Sequence, residues 1–207
     1  ANNAQWIGFS LEVGPDGALY VLDWHDPDIT GGSVPGKETG RIYRIAPERS
    51  LAGEWPDRYA DLGTLSDARL AELQLSPSDW HARRARVILQ RRATERPIDE
   101  DARTVLLELF ERHADPDLRL RGMWALHVTG RLGAERLLSA LEDADPYVRG
   151  WAVQLLTEDG DPGPATLERF ARMAAADDSP VVRKYLAAAL QRVDPAGRWE
   201  MAAGLLT

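Results

Sequence analysis

The stretch Asp145-Pro146-Tyr147-Val148-Arg149 is the central copy of a short motif that occurs three times in the chain. The other copies are Asp115-Pro116-Asp117-Leu118-Arg119 and Ser179-Pro180-Val181-Val182-Arg183. In each copy, an Asp or Ser suited to cap a helix precedes a proline. Proline is favoured at the first helical position because it has no amide hydrogen to leave unpaired. A leucine follows each arginine seven residues later. Each copy therefore predicts the start of an amphipathic helix.

The motif recurs at nearly constant intervals. Arginines at positions 83, 119, 149 and 183 are 36, 30 and 34 residues apart, and Arg83 belongs to the loosest copy. Between the copies, residues 102–110, 134–141 and 165–173 have the apolar spacing of a second helix. A period near this length is typical of solenoids, in which each unit buries its apolar face against the next. We therefore expect stacked helical repeats over residues 65–207.

The pattern Asp-Pro-x-Val-Arg is similar to that of HEAT-like repeats, and the signature of tetratricopeptide repeats is missing. In HEAT-like repeats this arginine stacks against an acidic residue of a neighbouring unit. The resemblance thus implies a structural repeat ladder formed by Arg119, Arg149 and Arg183. The alternative is that these arginines form a binding surface.

The first part of the chain has the pattern of β-strands. The turn signature Gly14-Pro15-Asp16-Gly17 lies between two short strand-forming runs, residues 11–13 and 18–22. A third run, residues 41–45, alternates in the manner of an antiparallel strand. We interpret residues 1–46 as one partial β-propeller blade and residues 47–64 as a linker. Because a propeller ring needs about 4–8 blades, we expect the chain to be part of a longer protein.

The expected fold class is mainly α: a HEAT-like α-solenoid with a small N-terminal antiparallel β segment. Composition excludes several kinds of site and partner. The 207 residues contain no cysteine, which excludes disulfides, thiolate metal sites and covalent c-type haem within them. The net charge of −8 disfavours nucleic acid as a general partner. No apolar run reaches the roughly 18 residues of a membrane helix.

The loop after the second predicted strand contains Asp23, His25, Asp26 and Asp28. Such an oxygen-rich loop could bind calcium, so these residues are weak candidates for metal ligands. The alternative is a solvated loop whose Asp side chains cap turns. Residues 31–37 fit the start of a phosphate-binding loop, but Glu38 stands where Ser or Thr should bind magnesium. The sequence therefore predicts no catalytic and no cofactor-binding residue.

Residues 81–96 depart from the acidic balance, with six arginines and one glutamate. On a helical projection, Arg83, Arg84 and Arg91 fall within one arc of about 100°. They are the candidate interaction face, since arginines bind phosphate and acidic protein surfaces. The alternatives are a solvated face, or pairing of the arginines with the acidic loop of the blade.

The chain resembles the membrane-bound dehydrogenase-like proteins abundant in planctomycetes. The similarity rests on the turn and strand of residues 14–24, the strand of residues 39–45, and Trp80 in an arginine-rich helix. Proteins of this family have a propeller similar to that of glucose and sorbosone dehydrogenases, then HEAT-like repeats, and often a haem-binding domain. The resemblance implies an exported parent protein that uses a quinone, calcium or haem outside this chain.

Two functions fit these patterns. The favoured one is a non-catalytic scaffold or protein-interaction solenoid, whose partners are proteins or neighbouring domains of the parent. The alternative is part of a quinone-dependent sugar dehydrogenase-like enzyme whose active site lies mostly outside the chain. We also expect Trp124 and Trp151 to be largely buried in the repeats. Residues 1–46 are expected to dock on the arginine-rich first repeat, because a lone blade has unpaired edges.

Overall fold

A computed structural model describes residues 8–23, 40–48, 55, 57–160 and 162–206. Within these residues the chain forms three strands and then nine α-helices. The strands are β1 (Gly8–Val13), β2 (Leu19–Asp23) and β3 (Arg41–Ile45). The helices are α1 (Asp67–Glu72), α2 (Asp79–Ala93), α3 (Glu100–Arg112), α4 (Pro116–Val128), α5 (Ala134–Ala140), α6 (Pro146–Leu156), α7 (Pro164–Ala176), α8 (Pro180–Ala189) and α9 (Trp199–Leu205). The expected class, mainly α with a small N-terminal antiparallel sheet, is confirmed.

The three strands form one antiparallel sheet in the order β1-β2-β3. The turn between β1 and β2 is closed by the Gly17 amide, which donates to the Gly14 carbonyl at 3.0 Å. Gly17 has φ 69°, a conformation that favours glycine because it has no Cβ. Asp16 Oδ1 accepts the Ala18 amide at 3.1 Å and fixes the turn on its other side. The turn signature thus sets where β2 begins.

The helices pack as consecutive hairpins, α1–α2, α3–α4, α5–α6 and α7–α8. The second helices of these hairpins, α2, α4, α6 and α8, lie side by side in one layer. Among the first helices of the hairpins, α1 contacts α3. At the end of the stack, α9 contacts α7. This arrangement is a solenoid, in which each unit contacts its neighbours in sequence.

We call the layer formed by α2, α4, α6 and α8 the inner layer. Proline is the first residue of three of its four helices, as the repeated motif predicts. Asp115 accepts the Asp117 amide, and Asp145 accepts the amides of Tyr147 and Val148, so both cap their helices. Ser179 differs, because its side chain makes no capping hydrogen bond. Its backbone amide donates to Asp177 Oδ1 at 3.0 Å, as the Asp145 amide donates to Asp143 Oδ1 at 2.9 Å.

The hydrophobic core runs continuously along the solenoid. Its side chains come from both helices of every hairpin, so no single hairpin buries its own apolar face. The largest side chains that are fully buried in the helices are Leu70, Leu89, Leu106, Met123, Leu126, Phe170, Leu186 and Met201. The inner helices are thereby held at fixed positions relative to one another.

The sheet lies beside the first hairpin. Leu11, Glu12 and Val13 of β1, with Trp80 and Val87 among the α2 side chains, line one cleft of about 430 Å³. The strands fall inside the predicted blade, and a short 3-10 helix, Leu62–Thr64, already forms at the end of the predicted linker. The division at residues 46 and 64 stays a prediction. None of the described helices is long and apolar enough to cross a membrane.

Candidate interaction groove

The predicted ladder arginines reach from one repeat unit to the next. Arg119 on α4 binds both carboxylate oxygens of Asp143, in the loop before α6, and its Nε donates to the Phe110 carbonyl at 2.9 Å. Arg149 on α6 binds Asp177, in the loop before α8, through Nε at 2.8 Å and Nη2 at 3.0 Å. Each pair therefore joins consecutive hairpins through a two-point contact.

The last ladder arginine has a different partner. Arg183 on α8 donates to the carbonyl oxygens of Ala174 at 2.8 Å and Leu205 at 2.7 Å. The second of these bonds ties α8 to the end of α9. The final rung therefore ends on the backbone and not on a carboxylate.

The two ladder aspartates are held as carboxylates. Burial raises the pKa of Asp143, but hydrogen bonds from Arg119 and from the Asp145 amide outweigh it, so the pKa lies below its ordinary value. Burial likewise raises the pKa of Asp177, and Arg149 with the Ser179 amide lowers it further than burial raises it. Both rungs are therefore charged near neutral pH.

A groove of about 720 Å³ runs across the inner layer of the solenoid. We call it the inner groove. It is lined by residues from α2, α4 and α6, together with Glu158 just beyond α6: Asp79, Ala82, Arg83, Arg86, Asp117, Arg121, Trp124, His127, Val128, Trp151, Leu155 and Glu158. A volume of this size is typical of sites that bind small molecules or a few side chains.

A row of aromatic rings follows the inner layer, with one ring on each of three helices. The rings of Trp124 on α4 and Trp151 on α6 meet edge to face, with centroids 4.9 Å apart. Tyr185 on α8 lies 6.1 Å from Trp151. Both tryptophans are only partly buried, because one side of each ring lines the groove. Both pack against the core with the larger part of their surface covered, in line with the expectation that they are largely buried in the repeats.

Arg86 on α2 extends this row beyond Trp124. Its guanidinium carbon lies over the Trp124 ring, 5.2 Å from the centroid. Its side chain has neither a hydrogen bond nor an ion pair with any described residue. Burial lowers the pKa of Arg86, and repulsion from Arg83 and Arg121 adds to that effect. The groove thus holds a partly buried cation whose donors are free.

The three arginines predicted as an interaction face lie at different places around α2. Arg83 lines the inner groove and approaches Asp79 at 3.8 Å. Arg84 and Arg91 line a separate cleft, beside Leu62 and Trp80. Arg83 and Arg84 also border the cleft between α2 and β1. The arc seen on the helical projection is therefore divided among three surfaces.

Two other arginines of α2 and the turn after it clamp the first hairpin. Arg92 Nη1 and Arg96 Nη1 donate to the two oxygens of buried Asp67, at 2.7 and 2.8 Å. Burial raises the pKa of Asp67, but these two arginines and the Asp99 amide hold it below its ordinary value. Arg92 and Arg96 thus hold α1 against α2 through Asp67, and most of the acidic blade loop lies outside the described residues.

Of the candidate metal ligands, only Asp23 is a described residue. Its Oδ2 accepts from Arg41 Nε at 3.0 Å and from Nη2 at 2.7 Å, across the pair of strands β2 and β3. His25, Asp26 and Asp28 lie outside the described residues. Among the residues that are described, no cluster of three His, Asp or Glu side chains could hold a metal ion.

Sequence reasoning missed Arg86 as a separate feature, although a signal for it exists. On a helical projection Arg86 lies at the edge of the apolar stripe formed by Ala82, Ala85 and Leu89, about 40° beyond Ala82, where a charged side chain would lie beside the core. The arginine-rich composition concealed this position. Arg121, which binds Asp79 at 2.5 Å, carries no such signal, because its partner lies 42 residues earlier.

Comparison with known proteins supports the helical part of the chain. Residues 134–197 match the family model for HEAT repeats. This match covers α5 to α8 and includes the motif copies at Arg149 and Arg183. No curated protein and no solved structure matches the chain. The HEAT-like character of the repeats is therefore confirmed.

Proposed function

We propose that this chain is a non-catalytic scaffold or protein-interaction solenoid, attached to the end of a dehydrogenase-like propeller in an exported parent protein. The observation that carries the interaction role is the inner groove, which exposes Arg86 and two tryptophans on a rigid layer of helices. The match to HEAT repeats supports it, since solenoids present extended surfaces of this kind to partners.

Site-specific photo-cross-linking tests this role. The full chain carries benzoylphenylalanine in place of Val128, which lines the inner groove, and is exposed to an extract of the producing organism. As a matched control, the same group replaces Glu108, an exposed residue of α3 outside the groove. We expect one identifiable protein, or a domain of the parent, to cross-link at Val128 and not at Glu108. The absence of such a product, or equal products at both positions, would contradict the proposal.

The parent-level part of the proposal rests on the resemblance of residues 14–24 and 39–45 to dehydrogenase-like propellers. On this reading, any quinone, calcium or haem is bound by other parts of the parent. We expect the 207-residue chain, supplied with a quinone cofactor and calcium, to oxidise no sugar. Turnover above that of heat-denatured chain would contradict the scaffold.

The second candidate is a quinone-dependent sugar dehydrogenase-like enzyme to which this chain contributes a few residues. The acidic stretch Asp23 to Asp28 favours it, because carboxylates and an imidazole suit calcium binding or proton transfer. Asp26→Ala in the full-length parent distinguishes the two. If the chain is a scaffold, Asp26→Ala should leave the parent's turnover unchanged. If the chain contributes to the active site, the variant should lower it.

A further inference from the structure

We propose that the inner groove binds an acidic peptide segment of a partner protein, in which a carboxylate flanked by apolar residues is received by Arg86. This inference rests on the proposed interaction role, because it names the partner chemistry for the same groove. Three observations support it: a cation with no hydrogen-bond acceptor, the charges next to that cation, and the apolar side of the groove formed by α4 and α6.

The unpaired cation is Arg86. A guanidinium offers five N–H donors, and burying it without partners costs free energy. A structural arginine in this chain, such as Arg149, uses its donors on carboxylate and carbonyl oxygens. Arg86 has no such acceptor among the described residues, yet its side chain borders the groove. Its nitrogens are not among the enclosed atoms that lack a partner, so they face the open groove, where a ligand acceptor would replace solvent.

The charge around Arg86 favours an anionic group. Arg83, Arg86 and Arg121 share one nearby carboxylate, Asp79, and that carboxylate is bound by Arg121 at 2.5 Å. The groove has two other carboxylates. Asp117 lies one turn before Arg121 on α4, and Glu158 is paired with His127. The lining as a whole therefore balances three arginines against three carboxylates, and the positive excess is confined to the groups next to Arg86, where a single ligand carboxylate would offset part of it.

One side of the groove beside Arg86, formed by α4 and α6, is apolar. Trp124 stacks on Arg86, Trp151 continues the aromatic row, and Val128 and Leu155 complete that side of the lining. A ligand that places apolar side chains beside its carboxylate would bury them here. The net charge of −8 opposes a polyanion such as nucleic acid, so a short protein segment with few carboxylates fits better.

Fluorescence anisotropy with defined peptides tests the inference. The probe is a short fluorescein-labelled peptide with one glutamate between leucines, and its counterpart has glutamine in place of that glutamate. We expect the full chain to bind the glutamate peptide at least about tenfold more tightly, as a charge-assisted contact would give. Arg86→Gln should reduce that preference to less than about twofold. Arg84→Gln, an exposed control on the same helix, should leave it intact.

Thermal unfolding provides the second measurement. Because Arg86 stacks on Trp124 but has no hydrogen-bond or ion-pair partner among the described residues, Arg86→Gln should lower the Tm much less than Arg149→Gln, which removes a structural ion pair. Equal affinity for the two peptides, no binding of the glutamate peptide at about 1 mM, or a loss shared by Arg84→Gln would overturn the inference. If the groove cross-links a partner through a segment without carboxylates, the interaction role stands and the acidic peptide does not.

Discussion

The carboxylates of the two acidic ladder rungs occupy one defined position, six residues before the next motif arginine. Asp143 and Asp177 hold this position in two units, and each accepts the amide of the residue two places later. His113 holds the equivalent position one unit earlier and accepts the same kind of amide bond. An imidazole offers no carboxylate for an arginine to bind. The ladder therefore starts at Arg119 and does not extend back to Arg83.

At the level of single residues, Arg149→Ala should destabilise the solenoid by about 2–3 kcal/mol. The variant loses a two-point ion pair and leaves the carboxylate of Asp177 without its main partner. Urea denaturation followed by circular dichroism measures the change. Arg172→Ala, which removes an exposed arginine from α7, should change stability by less than about 0.5 kcal/mol. Similar losses in both variants would show that the rung contributes little.

The same rung should make stability depend on pH. Because the folded pKa of Asp177 is lowered, its contribution is fully present above the unfolded pKa and is lost as the pH falls through the folded pKa. Asp177→Asn should therefore be less stable than wild type at pH 7, and the difference should shrink between about pH 5 and about pH 2. The urea midpoint across this range measures it. Asp178→Asn, at an exposed neighbour, should follow the wild-type curve.

At the level of elements, helices α3 and α4 approach each other closely at Gly122. A Cβ at this position would lie 2.9 Å from the Phe110 nitrogen and 3.0 Å from the Leu106 carbonyl oxygen. Both are backbone atoms, so a whole helix must move to make room.

Gly122→Ala should therefore destabilise the chain by about 1–3 kcal/mol, although alanine is the better helix former. Differential scanning calorimetry or urea denaturation would measure the change. Glu108→Ala, at an exposed site on α3, serves as the control and should be nearly neutral. A variant as stable as wild type would mean that the two helices separate at little cost.

The sequence predicts the elements of this fold better than their partners. The proline motifs predict the starts of α4, α6 and α8, because capping and proline preferences act within a few residues. Side-chain partners depend on packing between distant segments. The bond from Arg96 to Asp67 spans 29 residues, for example, and no local pattern indicates it. Arg86 is an intermediate case. The sequence shows its position beside the apolar stripe of α2, but it does not show that the side chain lacks a hydrogen-bond partner.

At the level of the whole molecule, the sheet should remain associated with the first hairpin through the cleft between β1 and α2. Trypsin has a site at Arg49 in the predicted linker. After cleavage there, the N-terminal piece should co-elute with the helical piece in size-exclusion chromatography. Degradation of residues 1–46 beside a stable piece beginning near residue 65 would contradict this expectation.

A pair of variants assigns that association to the cleft. Val87 lines the cleft from α2, so Val87→Glu places a charge beside the apolar residues of β1 and should release the sheet after cleavage. Gln90→Glu adds the same charge at an exposed position of the same helix and should not. Release in both variants would point to the net charge and not to the cleft.

The placement of the ladder carboxylate has a consequence for how such a chain can lengthen. One unit contains Asp143, which receives the arginine before it, and Arg149, which reaches the aspartate after it. A tandem duplication of this stretch of gene would copy donor and acceptor together. The new junction would be neutral and already paired, with no second mutation required. Growth by whole units would therefore extend the inner groove while every rung stayed matched.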